Sequence, residues 1–385
     1  MVIGGHLDSF DAATGAIDNG NGTSSAMEAI RLLAVAGVKP VRSVMVVFWA
    51  AEEMGLWGAI DAVGKHPEWN DKISLAMGRD SSPHAVTGAS VPPSWYEDFE
   101  RFTAPLKTLD SKFPFTLSKN IFPVVRPENY GSTDITVYSR AGIPTLISAG
   151  RNPLNDFNYQ HVWHTLYDTY DAVVPYAEHQ QQAAICQAVI AYGVAALPNQ
   201  LSRDDFYLGD GLYADIVFGT MEAPKRVLVR LDTDGAPEQV AHFLAAVEGR
   251  GEPQRRFGAA PPVADRPSLA TVSLSRPRLT EARFREVLDI SANLPRIANR
   301  SLRSENGLLG FSPQGFAISA RPNATLPSRY TPVGSIVAIT EDFGTLKSSD
   351  PLASLRIYRV GDSAKAFRAA GDTGERPANT RNRNR

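Results

Sequence analysis

The sequence contains a single cysteine, Cys186, among 385 residues. An intrachain disulfide is therefore impossible, and a metal site built from a cluster of cysteines is excluded. A transition-metal site in this chain has to use histidine, aspartate and glutamate side chains instead. The scarcity of cysteine does not decide the cellular compartment, because cytosolic and periplasmic proteins can both lack disulfides.

Long apolar runs and an excess of one charge are also missing. No stretch approaches the roughly 18 apolar residues that indicate a membrane-spanning helix. The 39 basic side chains are balanced by 41 acidic ones, which gives a net charge of -2, whereas binding to the phosphates of nucleic acid requires a clear basic excess. We therefore expect neither a membrane span nor a nucleic-acid partner. Composition leaves the oligomeric state open.

The first 200 residues alternate short apolar runs with helical patterns. A continuous run at 44–50, rich in β-branched and aromatic residues, predicts a strand covered on both faces. Shorter runs at 73–77 and 143–149 predict two further strands, and helical spacing predicts helices at 24–35 and 176–197. Strands that alternate with helices in this way indicate an α/β domain with a mostly parallel sheet.

The sequence at the start of the chain has the pattern of a β-strand whose first residues are missing. Residues 2–6 resemble the end of a buried strand that leads into a loop, and no signal peptide precedes them. We therefore expect upstream sequence to be missing, together with any targeting segment.

A second, β-rich unit is predicted over 206–362, after a change of composition near 198–200. Its predicted strands are 213–217, 226–231, 316–319, 335–339 and 355–360, with helices at 237–247 and 280–288 and a loop at 251–268. The polar, basic tail over 363–385 is expected to be disordered. The predicted domains are thus 1–200, 206–362 and this tail.

Polar side chains gather where the apolar runs of the first domain end, or in the loops between them. They are His6, Asp8, Asp18, Glu52, Glu53, Asp80 and His164. Because an open α/β sheet binds ligands beyond the carboxyl ends of its strands, we expect these side chains to meet at one edge. Imidazole and carboxylate groups are the common zinc ligands when thiolates are absent.

The ligand count suits a pair of zinc ions, which needs one bridging carboxylate and two terminal ligands for each ion. His6 and Asp80 are assigned to one ion, Glu53 and His164 to the other, and Asp18 to the bridge.

Glu52 is left over beside the predicted metal-bound water. Neighbouring residues of an extended segment point to opposite sides, so a turn could direct Glu53 to the metal and Glu52 to the water. A carboxylate in that place is suited to act as general base. Each piece has an ordinary explanation, since Glu-Glu pairs are usually solvated and glycine-rich turns are usually only turns. The prediction of a zinc site therefore depends on all of these residues together, in this order along the sequence.

Several of these segments resemble the co-catalytic zinc aminopeptidases of metallopeptidase family twenty-eight, over about residues 3–197. They are GHLDS at 5–9, GAIDNG at 15–20, WAAEEMG at 49–55, HT at 164–165 and DT at 168–169. GRD at 78–80 and GSTDI at 131–135 are most similar to the carboxypeptidase Q group within that family.

That resemblance implies a three-layer domain with the metal and base roles given above, and a periplasmic or secreted location. It also implies that Asp8 orients His6. The substrate pocket is expected to be lined in part by four consecutive residues, Gly131, Ser132, Thr133 and Asp134.

The second unit resembles a cyclophilin-type prolyl isomerase, which implies a closed antiparallel β-barrel. The similar segments are 213–217, 227–233, 236–244, 315–319 and 330–334. The residues that isomerase chemistry requires are degraded: a Phe-His-Arg segment after the first helix is missing, no aromatic residue stands near Thr325, and Tyr330 occupies a position where histidine is common. An accessory domain without catalysis is the favoured interpretation.

The sequence therefore predicts a zinc-dependent exopeptidase that acts on peptides or dipeptides with two zinc ions. Two alternatives stay open: an impaired pseudo-peptidase that binds partners through its cyclophilin-like domain, and a prolyl isomerase. The pattern does not decide between aminopeptidase, carboxypeptidase and dipeptidase action, nor does it give a side-chain preference.

Overall fold

A computed structural model describes residues 1–369 apart from positions 12, 81–82, 128–130, 148–155, 221–222, 249–305, 313–314, 321–325, 327–329, 347–349 and 351. The chain divides into two compact units, Met1–Tyr207 and Leu208–Arg385.

The first unit is built on a parallel sheet, as the sequence predicted. The strands of this unit are β1 (Val2–His6), β2 (Met45–Trp49), β3 (Ala76–Gly78), β4 (Gly88–Val91), β5 (Thr116–Lys119) and β6 (Thr145–Ile147). The main sheet has the order β2-β1-β3-β6, and all of its pairings are parallel. β4 and β5 form a separate parallel pair that the sequence did not predict.

Helices cover both faces of this sheet. They are α1 (Asn21–Val35), α2 (Trp57–Lys65), α3 (Pro93–Thr103), α4 (Leu106–Leu109), α5 (Asp134–Arg140), α6 (Tyr159–Val162), α7 (Tyr170–Val173) and α8 (Ala177–Ala196). Alternate residues of β1 enter two different cores: Ile3 packs in the core shared with α1, α3 and α8, and Val2 packs in the core shared with α2 and α5. The result is a three-layer arrangement, because each strand is apolar on both sides.

The second unit contains one six-stranded antiparallel sheet and a helix, α9 (Pro237–Glu248). The strands are β7 (Gly211–Phe218), β8 (Lys225–Leu231), β9 (Leu308–Ser312), β10 (Gly315–Ser319), β11 (Thr331–Ile339) and β12 (Leu352–Val360). They lie in the order β10-β9-β11-β8-β7-β12. Val240, Phe243 and Leu244 of α9 pack into the apolar core of this sheet.

All five strands predicted for this unit are present, and β9 is an additional strand. Within the described residues the two outer strands, β10 and β12, do not pair with each other, so the closed barrel stays a prediction. The predicted loop at 251–268, the helix at 280–288 and Thr325 lie outside the described residues.

The predicted tail has to be corrected at its beginning. A short helix, Asp362–Ala366, lies at the point where the tail was expected to begin. Ala364 and Ala369 pack into the core of the second unit, and this burial holds the segment in place. Residues 370–385 lie outside the described part of the chain. Among the described helices, none has both the length and the apolar character needed to cross a membrane.

Candidate metal centre

The predicted site residues of the first unit lie at the carboxyl-terminal edge of the parallel sheet. His6 is the last residue of β1, Glu52 and Glu53 follow the end of β2, and Asp80 follows β3. Parallel strands end at the same edge, so three separate loops deliver these side chains to one place.

His6 is surrounded by carboxylates. Its Nε2 atom lies 3.1 Å from Asp18 Oδ1, 3.6 Å from Asp80 Oδ1 and 4.0 Å from Glu52 Oε2. The His6 side chain is fully buried. Possible ligand atoms of His6, Glu52 and Asp80 all lie within 4.8 Å of one another, which is close enough to hold one metal ion.

His164 lies on the other side of Asp18. Its Nε2 atom is 2.8 Å from Glu53 Oε2 and 3.7 Å from Asp18 Oδ2. The two oxygens of Asp18 therefore face two different histidines, as the bridging role predicts. His6, Asp18 and Glu53 form a second group whose ligand atoms lie within 4.8 Å of one another. The structure brings together all five predicted ligands and Glu52.

Asp8 supports the centre through different atoms from those predicted. Its carboxylate was expected to orient His6, but its Oδ1 lies 3.7 Å from His6 Nδ1, and the backbone carbonyl of Asp8 makes the contact at 2.8 Å. The carboxylate instead accepts hydrogen bonds from the backbone N–H groups of Glu52 and Glu53, at 3.0 and 3.1 Å. These bonds fix the turn that follows β2, where Ala51 has a left-handed φ of 56°.

Asp168 holds the loop that carries Asp18, a role that the sequence reasoning did not assign to it. Its carboxylate accepts hydrogen bonds from the backbone N–H groups of Ile17 and Asp18, at 2.6 and 2.9 Å. These bonds hold the loop that carries the bridging carboxylate. The motif at 168–169 marked the residue as part of the site, but spacing could not show a contact between positions 150 residues apart.

The pKa values show how strongly the carboxylates interact. Burial acts to lower the pKa of His6, but hydrogen bonding to Asp18 and Asp80 and the charge of Glu52 raise it to about 11. Burial and the charge of Asp80 raise the pKa of Glu52 to about 8, against the opposing effect of His6. Crowded carboxylates of this kind favour the binding of a positive charge.

The residues present fit a zinc centre. Oε1 of Glu53 is buried and has no hydrogen-bond partner within the described part of the chain. A buried carboxylate oxygen without a partner is costly, and coordination of a cation would satisfy it. The donor set, imidazole and carboxylate without thiolate, matches the ligands that zinc takes in hydrolytic enzymes.

The predicted substrate segment is only partly exposed. Gly131 and Ser132 are exposed and Thr133 is partly buried, so their role in a pocket remains a prediction. Asp134 is 2% exposed, and its predicted role in the pocket likewise remains a prediction. It is the first residue of α5, whose apolar side packs in the core. Burial raises the pKa of Asp134 to about 7.

Part of the chain is similar to known proteins. Residues 1–189 match the model of Peptidase family M28. Carboxypeptidase Q of Rattus norvegicus is 32% identical over 204 residues, which are 53% of this chain and 40% of that protein. Leupeptin-inactivating enzyme 1 of Streptomyces exfoliatus is 36% identical over 146 residues, which are 37% of this chain and 31% of that protein.

Among solved structures, a Peptidase M28 precursor from Shewanella amazonensis has 25% sequence identity and a TM-score of 0.43, covering 52% of this chain and 42% of that one. The chain thus spans less than half the length of the carboxypeptidase Q relative that it matches.

Proposed function

We propose that the chain is a zinc-dependent exopeptidase that hydrolyses small peptides, because residues 1–189 match the model of Peptidase family M28. Peptidases of this family depend on metal, typically zinc. Two ions, the ligand assignment and the role of Glu52 belong to this proposal. A periplasmic or secreted location belongs to it as well.

The observation that carries the proposal is the position of Asp18. One of its oxygens lies 3.1 Å from His6 Nε2 and the other lies 3.7 Å from His164 Nε2. Because its two oxygens face separate imidazoles, Asp18 would be shared by the two zinc ions. His6 and Asp80 would complete one ion, and Glu53 and His164 the other.

The chain's own groups then have distinct tasks. Two bound zinc ions would polarise the scissile carbonyl group and lower the pKa of a bound water. Glu52 accepts the proton of that water and donates it to the leaving amine. Asp8 accepts hydrogen bonds from the backbone N–H groups of Glu52 and Glu53. These bonds fix the position of the base, Glu52, relative to the ligand, Glu53.

The test is hydrolysis of an unblocked dipeptide and of its N-acetylated counterpart by the full chain. We expect the free dipeptide to be cleaved, the chelator-treated protein to be inactive, and added zinc to restore cleavage. Since an exopeptidase binds a free terminus, the acetylated dipeptide should react much more slowly if the α-amino group is the one recognised. A zinc-loaded, folded chain that cleaves neither compound nor a panel of other unblocked dipeptides would contradict the proposal and favour a non-catalytic binding protein.

A further inference from the structure

Two aromatic rings pack against the imidazole of His164. The Phe10 ring stacks on it with a centroid distance of 4.5 Å and an interplanar angle of 6°. The Trp163 ring contacts it at 4.3 Å with an angle of 32°.

The two histidines of the centre are oriented by different means. His6 has its Nδ1 atom 2.8 Å from the backbone oxygen of Asp8, so a hydrogen bond fixes its ring. The described residues provide no such hydrogen bond to Nδ1 of His164. Metal-binding histidines almost always use their second nitrogen in this way, which fixes the direction of the ring. His164 needs another constraint, because its side chain is 31% exposed.

The aromatic contacts supply that constraint. Two rings packed against an imidazole hinder rotation about its Cβ–Cγ bond, and Nε2 then stays directed at Glu53 and Asp18. The backbone of His164 is also unusual, with a left-handed φ of 57°. Few non-glycine residues adopt that conformation, and it persists only where the surroundings impose it. Phe10 lies on the loop that follows β1 and His6. Its stacking therefore connects the loop after one predicted ligand, His6, with a second predicted ligand, His164.

We propose that Phe10 and Trp163 are positioning residues that orient His164 for metal binding, in place of the hydrogen bond that orients His6. This inference rests on the proposed zinc centre. Phe10, Asp18, Glu53 and His164 line one narrow cleft, which places the Phe10 ring directly beside the ligands of one ion.

The test is a zinc titration of the full chain against a competing chelator, which measures the two binding steps separately. Phe10→Ala should weaken the step that involves His164 about 10- to 100-fold, the usual effect of removing a group that orients a ligand. The step that involves His6 should keep its affinity. Phe10→Tyr, which retains the ring, should restore wild-type binding, whereas Phe10→Leu, which retains only apolar bulk, should not.

The matched control is Trp69→Ala. Trp69 stacks on His66 with a centroid distance of 3.9 Å and an angle of 7°, so the variant removes the same kind of contact from a histidine that no predicted ion uses. Both zinc steps should be unchanged. Unchanged affinity in Phe10→Ala, equal loss in both steps, or full rescue by Phe10→Leu would each overturn the inference while leaving the zinc centre standing. A wild-type chain that binds no zinc would overturn the proposed function as well.

Discussion

Glu52 and Glu53 are adjacent in the sequence but have different partners. Oε2 of Glu53 lies 2.8 Å from His164 Nε2, while Oε2 of Glu52 lies 4.0 Å from His6 Nε2. The turn after β2 separates the two carboxylates, and Asp8 holds both backbone N–H groups. The proposed function assigns one carboxylate as a ligand and its neighbour as the general base.

Glu52→Gln should retain zinc and lose hydrolysis. The amide keeps nearly the same shape but cannot accept a proton from water, and loss of a general base typically lowers kcat about 10²- to 10⁴-fold. Steady-state dipeptide hydrolysis together with zinc content measures both parts. The control is Glu68→Gln, the same change at an exposed glutamate beside His66, which should leave kcat unchanged. Near-normal turnover in Glu52→Gln would contradict the proposal that Glu52 is the general base.

For single residues, the sequence predicted which side chains gather at the sheet edge better than it predicted the residues that hold them there. Each predicted ligand stands beside a strand end or in a motif, so its type and position were visible. The support from Asp168 was not visible in the sequence, because its hydrogen bonds join positions 150 residues apart. The stacking of Phe10 on His164 likewise depends on how two loops meet, and no local pattern shows this.

Cys186 should be unreactive in the folded chain. It is fully buried, Gln182 donates a hydrogen bond to its sulfur, and burial raises the pKa of the thiol to about 12. Because a raised pKa leaves the group protonated below it, only about 10⁻⁴ of the thiol is ionised at pH 8, and the thiolate is the reactive form. Iodoacetamide should label the denatured chain and spare the native one. Labelling of the native chain at the rate of a free cysteine would contradict this account.

Among the elements, β1 lies inside the sheet and ends in a predicted ligand. A Cβ atom at Gly4 would lie 2.0 Å from the backbone oxygen of Val47 and 2.9 Å from the ring of Trp49. Only glycine allows β2 and this ring to approach so closely. The element that carries His6 therefore depends on a residue with no side chain.

Gly4→Ala should destabilise the first unit by about 1–3 kcal/mol, the typical cost of adding a methyl group to a packed core. Gly64→Ala is the contrasting change. Gly64 lies in α2 and a Cβ atom there meets nothing within 4 Å, so the helix should gain about 0.5–1 kcal/mol. Urea unfolding of both variants measures the difference. Equal stability of the two variants would show that the packing around Gly4 has been misread.

The regular elements were predictable in proportion to their length and apolar content. The continuous apolar run at 44–50 contains β2, and the long alanine-rich pattern at 176–197 contains α8. The short pair β4 and β5 gave no signal, because most residues of these strands are exposed or only partly buried. Such strands have no strict alternation of apolar and polar residues to reveal them.

For the whole molecule, the order of strands and helices predicted the fold class of the first unit. The sequence also indicated a second, β-rich unit. Closure of its sheet into a barrel is a matter of strand pairing over long distances, which local patterns do not specify. The pairing of β11 with both β8 and β9 is an example, since β8 and β9 lie far apart in the chain.

The full chain should accelerate prolyl isomerisation little or not at all. The amide barrier is about 18–20 kcal/mol, and lowering it requires a rigidly held cationic donor and an accessible apolar slot. Tyr330, at the position where histidine is common, is 5% exposed and packs with Leu308, Ala317 and Leu326. Arg255 and Arg256, near the expected place, lie in a glycine- and proline-rich stretch outside the described residues. A protease-coupled assay on a proline tetrapeptide measures the rate, and ordinary isomerase rates would contradict the prediction.

The measurement that tests the central claim most directly is the zinc content of the folded, full-length chain after equilibration with zinc and removal of the excess. The geometry around Asp18 predicts about two zinc ions per chain, and Asp18→Ala should lower that number because both ions lose a shared ligand. Asp171→Ala, a change at an exposed aspartate of α7, should leave it at two. A folded wild-type chain that retains no zinc, or an Asp18→Ala variant that still binds two ions with full affinity, would contradict the account.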